Sequence, residues 1–428
     1  MKNPIRKRCY YAAEVTLCSP LSVSSGMNEY TDSDVLVNGS GEVFVPGTSL
    51  AGAMRGYLGM DKKTDGIFGF SDGEDGKMSR VAVCDLYFDR KSVVSVRDGV
   101  QLNEWKNVQN KFDMEIVETG ARGTLYLNYT MRGTDKKEDY EEEIASIFQA
   151  IQKGTIRIGA NKNRGFGRLK LGAVYQKSFS QEDGRKIDIE EWVNFKKNFR
   201  DTKLYEKKSY EEWAKGKEQV PERYVKVTVP LRLKGGISIR RYSARPQEAD
   251  FEHITCASMP VIPGTSWNGA IRADIRTILY SIGKTEAQTA ELIKQWFGYV
   301  PLKKNEASEQ SMVVIGESRI EEAAAVPMTR NRINRFDAST KDGALYSEIA
   351  YFGGRTELEI MVKKDESKAY HALIGILSLV IADIQDGYVA VGGQTAVGRG
   401  IFSADPERHI QYSEAVSIET CLKELYSL

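Results

Sequence analysis

The feature that most limits how this chain can fold is that it repeats itself. Residues 43–55 read VFVPGTSLAGAMR, and residues 260–272 read PVIPGTSWNGAIR. Pro46, Gly47, Thr48, Ser49, Ala53 and Arg55 recur as Pro263, Gly264, Thr265, Ser266, Ala270 and Arg272, each 217 positions on. Ile67-Phe68-Gly69 is answered by Trp296-Phe297-Gly298, and Gly123-Thr124-Leu125-Tyr126 by Gly343-Ala344-Leu345-Tyr346. Gly159, Gly165 and Gly167 return as Gly392, Gly398 and Gly400, at an offset of 233. The order holds while the offset drifts, as expected of two copies of one domain fused in tandem with unequal insertions. A chain of 428 residues is long enough to bury two such cores. The boundaries read as 1–178 for the first copy, 179–222 for a charged helical linker and 223–428 for the second. The linker carries Trp192, Phe195, Phe199, Tyr205 and Trp213 among Lys and Glu, so it needs a surface to pack on.

Local patterning gives each copy the same outline. Residues 11–17 and 224–233 are alternating and rich in β-branched side chains, which predicts an opening strand. Helical spacing follows each Pro-Gly turn, at 50–58 and 267–280, with Thr48/Ser49 and Thr265/Ser266 as expected N-caps. A second helix follows in each copy. Ile144, Ile147, Phe148 and Ile151 form one stripe, whereas 372–384 is apolar almost all round and predicts a buried helix. Short strands are expected at 155–158 and 388–391, each leading into a glycine loop. This layout predicts an α+β chain: two tandem ferredoxin-like domains with antiparallel sheets.

Composition removes several function classes. Lys plus Arg number 60 against 59 for Asp plus Glu, so any attraction to nucleic acid must come from local clusters. No run approaches 18 apolar residues, so neither a membrane-spanning helix nor a membrane partner is expected. Residues 1–10 are basic but lead into a mixed stretch without the apolar core of a secretion signal. Five cysteines with no CxxC pair argue against a disulfide framework or structural zinc and fit a reducing cytoplasm. With three histidines, His-rich metal chemistry is nearly excluded.

Four groups of residues carry possible chemistry. The glycine loops, GANKNRGFGRLKL from 159 and GGQTAVGRGIF from 392, match neither the dinucleotide nor the P-loop spacing. Their glycines let backbone N–H groups approach a phosphate, and Asn161, Lys162, Arg164, Gly392, Gly393 and Gln394 are candidate contacts, with Arg168 and Arg399 adding charge. The bland alternative is a tight turn. Each PGTS helix start (Gly47, Thr48, Ser49; Gly264, Thr265, Ser266) is either an anion site, with Arg55 and Arg272 about two turns on, or an ordinary capped helix. Ser49 is not in a nucleophile elbow. Arg330, Arg332 and Arg335, beside Phe336, and the run Arg232, Lys234, Arg240, Arg241 and Arg245 are basic clusters or solvated faces. Asp32 and Asp34 in the loop 26–41, and Asp250 before the second PGTS, are loop carboxylates that ordinarily do no more than solvate turns. His253, near Asp250, is a possible base without a partner motif.

Taken in order and doubled, these motifs resemble the RAMP superfamily of CRISPR-associated proteins. More narrowly they resemble the backbone subunit of type III effector complexes, as a fusion of two such domains covering roughly 8–175 and 223–405. The resemblance implies an RRM-like core that tracks a guide RNA, and β-hairpin thumbs at about 85–118 and 316–335. It implies guide (CRISPR) RNA, complementary target RNA and other effector subunits as partners. In catalytic members a loop aspartate of a D-S-P-V-type motif cuts target RNA beside each thumb with a divalent metal, here Mg2+. Asp32, in Asp32-Ser33-Asp34-Val35, matches that position with Asp34 where proline is usual. Asp250 matches by placement alone and lacks the serine. Both are thereby the expected catalytic and metal-binding residues. Two other readings remain open: a non-catalytic guide-binding subunit, and a guide-processing endoribonuclease, which would need a His-centred site.

Overall fold

The computed structural model describes residues 4–24, 31–59, 62–73, 75–89, 91–102, 108–133, 135, 140–181, 187–242, 249–299, 308–341 and 343–428. The chain divides into two units, one of Met1–Arg97, Phe112–Lys162 and Phe166–Pro221, the other of Asp98–Lys111, Asn163–Gly165 and Glu222–Leu428.

The first copy runs β1 (Ile5–Leu17), α1 (Gly47–Leu58), α2 (Lys62–Phe68), β2 (Val81–Val83), the hairpin strands β3 (Val94–Leu102) and β4 (Val108–Val117), β5 (Arg122–Arg132), α3 (Glu141–Lys153) and β6 (Leu169–Ser180). After it come α4 (Ile189–Lys197), β7 (Glu206–Ser209) and α5 (Tyr210–Ala214). The sheet order is β7-β6-β1-β5-β2, all antiparallel. Without the added edge strand β7, this is the 4-1-3-2 order of a split βαβ sandwich. Side chains alternate along β1, and both faces are buried. Cys9, Tyr11, Ala13, Val15 and Leu17 pack with Leu50 and Met54 of α1 and with Ile144, Phe148 and Ile151 of α3. Tyr10 and Ala12 face the other way, onto Phe179, Phe195 and Tyr205, with Trp192 and Phe199 against them. Trp192, Phe195, Phe199 and Tyr205 therefore cover the outer face of this sheet, with Trp192 Nε1 donating to Tyr10 Oη at 3.0 Å. Trp213 instead packs with Tyr11 and Phe148 on the inner face.

The second copy runs β8 (Tyr224–Lys234), α6 (Gly264–Ser281), α7 (Glu286–Phe297), β9 (Val313–Ile315), β10 (Ser318–Glu321), the hairpin strands β11 (Ala324–Arg330) and β12 (Tyr346–Phe352), β13 (Arg355–Lys363), α8 (Lys368–Asp386), β14 (Ile401–Ala404) and α9 (Ile418–Ser427). Its central order is β14-β8-β13-β10, with β9 also paired to β13, so the 4-1-3-2 order recurs. The outer face here is charged: Arg232–Asp405, Arg355–Glu407 and Arg408–Glu357 pair at 3.4, 3.4 and 3.0 Å.

Several local expectations need correction. Both helices begin at the glycine, with Pro46 and Pro263 as N-cap residues, so Thr48, Ser49, Thr265 and Ser266 lie inside the first turn and cap nothing. Instead the Pro46 and Pro263 carbonyls accept from Ser49 and Ser266 N–H, at 2.9 Å each. The expected strands at 155–158 and 388–391 are coil. Their ends bond across the glycine loop, Ile158 N–H to Gly167 O at 3.0 Å and Val391 N–H to Gly400 O at 2.9 Å. The Gly-x-Leu-Tyr pair does not correspond. Leu125 and Tyr126 lie in the central strand β5, but Tyr346 opens the hairpin strand β12, and the central strand of the second copy is β13. The second hairpin thus ends at Phe352, beyond the expected limit of 335. Helix α8 is, by length and apolar composition, long enough to cross a membrane, contrary to expectation. Ten of its residues are buried in the fold, which is what an all-round apolar core helix requires. Gly375 lets α9 approach: a Cβ there would lie 2.6 Å from the Cys421 carbonyl oxygen.

Candidate functional site

In each copy the second hairpin strand ties a loop aspartate to the glycine loop. In the first, Asp32 Oδ2 accepts the Asp113 N–H at 3.1 Å, and Asp113 Oδ1 accepts the Asp32 N–H at 2.9 Å. Glu115 Oε2 accepts the Val35 N–H at 2.9 Å, and the Glu115 N–H donates to Ser33 O at 2.9 Å. Thr31 Oγ1 donates to Asp34. Met114 alternates to the other face of the strand, where Asn161 Nδ2 of the glycine loop reaches its Sδ at 3.6 Å.

The second copy repeats the arrangement with different atoms. Asp250 Oδ2 accepts the Ser347 N–H at 2.6 Å and Ser347 Oγ–H at 3.2 Å, while the Asp250 N–H donates to Ser347 Oγ at 3.2 Å. On the next residue, Glu348 Oε2 accepts from Gln394 Nε2 at 2.8 Å. Asn161 and Gln394 both hold a left-handed backbone, with φ of 54° and 58°. Asp32, Asp113, Met114 and Asn161 therefore correspond to Asp250, Ser347, Glu348 and Gln394. Both aspartates are exposed, and in each these bonds use Oδ2 alone. A carboxylate so held satisfies a strand N–H that would otherwise lack a partner, and it is also fixed in place for chemistry.

The helix starts have a packing reason for their glycines. A Cβ at Gly47 would lie 2.4 Å from Val83 O, and one at Gly264 2.3 Å from Ile315 O. The Gly47 N–H already donates to Asp85 Oδ1 at 2.7 Å. Thr48, Ser49 and Thr265 are exposed and Ser266 is half-buried. Arg55 pairs with Asp65 at 2.8 Å. Arg272 is half-buried over the Phe297 ring, 5.5 Å from its centre, and its Nε has no hydrogen-bond partner among the described residues. Burial, helped by Arg276, pushes its guanidinium down to about 10.

The glycine loops spend part of their backbone on the chain itself. Ala160 and Gly167 N–H donate to Ser22 O and Pro20 O, and Gly393 and Gly400 N–H to Ser238 O and Gly236 O, all at 2.8 Å. Lys162 and Gly392 are exposed, and Arg164, Gly393 and Gln394 are half-buried. Arg332, Arg335 and Phe336 stand exposed in the loop between β11 and β12, and Arg330 Nε lies 3.5 Å from Glu348 Oε1. Gly26 and Arg245 lie outside the described residues. His253 is buried with both ring nitrogens used: Nδ1 accepts the Ile239 N–H and Nε2–H donates to Val261 O, each at 3.0 Å. Burial pushes it down to about 4, so it is a neutral structural group.

Asp113, Ser347 and Glu348 escaped the sequence reading. Asp113 and Ser347 sit 81 and 97 positions from the aspartates they hold, and strand pairing alone brings them there. Among the described residues, no group of three or more His, Cys, Asp or Glu is arranged to hold a metal. One or two fixed carboxylates suit Mg2+ when substrate phosphates supply other ligands. A family model described as the RAMP superfamily matches residues 14–170 and 224–403, most of both copies. Among curated proteins, none matches the chain.

Proposed function

The chain belongs to the RAMP superfamily, CRISPR-associated proteins that bind RNA and assemble with other CRISPR subunits; from this we propose that it is a guide-RNA-binding backbone subunit of a type III effector complex, working in the cytoplasm, and that its loop aspartates cut target RNA. The observation that carries the reading is the doubled arrangement of loop aspartate, hairpin strand and glycine loop. Each copy sets a fixed, exposed carboxylate beside a loop whose backbone and side chains suit phosphates. The hairpins overlap the stretches in which the family resemblance expects thumbs, and the exposed Arg332, Arg335 and Phe336 suit backbone and base faces.

Asp32 and Asp250 are the residues that would hold Mg2+ together with RNA phosphate oxygens. When bound, the ion neutralises charge on the scissile phosphate. What the chain itself contributes is orientation. The Asp113 and Ser347 N–H groups each fix one oxygen of the aspartate they hold, and the other oxygen is the one that would accept a proton from the attacking hydroxyl. The guide-processing reading loses His253 as its base, since both of its ring nitrogens are committed. The non-catalytic reading draws support from those same bonds, because a carboxylate that serves a strand N–H needs no other role.

The deciding experiment maps target cuts by an assembled complex carrying wild type, Asp32→Ala, Asp250→Ala or both. Two distinct cuts, each lost with one aspartate while guide binding persists, is the expected pattern. Unchanged cleavage in both single variants and the double variant would leave the non-catalytic subunit as the function. Guide affinity should fall steeply with salt and differ little between scrambled sequences.

A further inference from the structure

We propose that Glu348 is a positioning residue of the second copy, holding Arg330 and Gln394 in the orientation in which they meet the RNA backbone. The proposal rests on the RNA-binding reading above.

Glu348 is completely buried, and a buried carboxylate is costly unless it is paired. Its two oxygens have different neighbours. Oε2 accepts from Gln394 at 2.8 Å, while Oε1 has the Arg330 Nε at 3.5 Å and, among the described residues, no hydrogen bond. Register explains the meeting. Met328 and Arg330 of β11 stand opposite Glu348 and Tyr346 of β12, so their side chains share one face. On that face the Met328 sulfur has the Nη2 atoms of Arg330 and of Arg399 each 3.5 Å away. Arg399 also lies over the Phe352 ring, 4.4 Å from its centre. Two guanidinium groups thus meet at one thioether while only Arg330 is paired with the carboxylate, which leaves positive charge in excess on this face.

The first copy shows what this carboxylate is not needed for. There Met114 occupies the matching position and accepts from Asn161, and the loop keeps the same left-handed backbone. A thioether suffices to seat the glycine loop, so the charge at 348 serves something else. The Arg330 side chain is 35% exposed whereas Glu348 is not exposed at all, which puts the carboxylate behind the guanidinium as seen from solvent. Held at Nε by Glu348 and at Nη2 by Met328, the guanidinium keeps Nη1 and the outward Nη2 hydrogen for a phosphate contact. Freed, it would have to be ordered on binding, which weakens affinity about three- to tenfold.

Glu348→Gln keeps an acceptor for Gln394 and removes the charge at Arg330. In the full chain, its affinity for single-stranded RNA should fall about three- to tenfold at a nearly unchanged melting temperature. In an Arg330→Ala background the same substitution should have no further effect. An equal loss in both backgrounds, no loss, or tighter binding overturns the proposal. A second arm needs no RNA: in chain labelled with 15N-arginine, the Nε–H of Arg330, assigned by its absence in Arg330→Ala, should exchange faster in Glu348→Gln. Unchanged exchange means that Glu348 does not hold Arg330, and the proposal fails. If the wild-type chain binds no RNA while the exchange difference is present, the pairing stands, and it is the RNA-binding reading that falls.

Discussion

Two glycines of one loop separate backbone strain from steric contact, and so separate packing from ligand approach as the reason the loop is glycine-rich. Gly398 and Gly400 have φ of 80° and 69°, both in the left-handed region. A Cβ at Gly398 would meet nothing within 4 Å, whereas one at Gly400 would lie 1.9 Å from Val391 O. Gly398→Ala should therefore cost only the left-handed backbone term, about 1–2 kcal/mol. Gly400→Ala adds a clash worth about 1–3 kcal/mol, and it disrupts the Val391 N–H to Gly400 O bond of 2.9 Å, worth about 1 kcal/mol more. The expected gap between the variants is at least about 2 kcal/mol, or about 4–8 °C in the transition of the second unit. Differential scanning calorimetry of the full chain reads it. RNA affinity measured on the same samples completes the comparison, because Gly398→Ala stays folded and any loss there reports on ligand approach. Equal melting shifts in the two variants would refute the packing argument.

Three further outcomes are expected. Asp32→Ala should lose about 1 kcal/mol of stability, since the Asp113 N–H loses its acceptor, and should lose its cut without losing guide affinity; a shift of several kcal/mol by urea titration would make Asp32 structural. His253 has a folded value of about 4 against about 6.5 when unfolded, so the unfolded state binds the extra proton between those values. Its contribution is complete above about pH 6.5 and is lost as pH falls toward 4, and His253→Gln should flatten that part of the profile of melting temperature against pH. Gly375→Ala should displace α9 through the 2.6 Å contact with Cys421 O, seen as faster proteolysis after residue 410; an unchanged digest would count against that packing.

The RAMP assignment was legible because its signals are local. A proline, a glycine and a helix start at Gly47 and Gly264, a helix end at Gly69 and Gly298, and the loops closed by Gly167 and Gly400 are demands of backbone conformation and close approach. Such demands leave the same letters in both copies. The false match of Leu125-Tyr126 to Leu345-Tyr346 shows the limit: alternating apolar letters mark a strand without saying which neighbour it pairs with. The partners of Asp32 and Asp250, the shared face of Glu348 and Arg330, and the sheet surface covered by Trp192 and Phe195 were decided in three dimensions. The first two depend on strand register and the third on a helix packing across a sheet, and both are set by side chains that the order of the chain does not bring together.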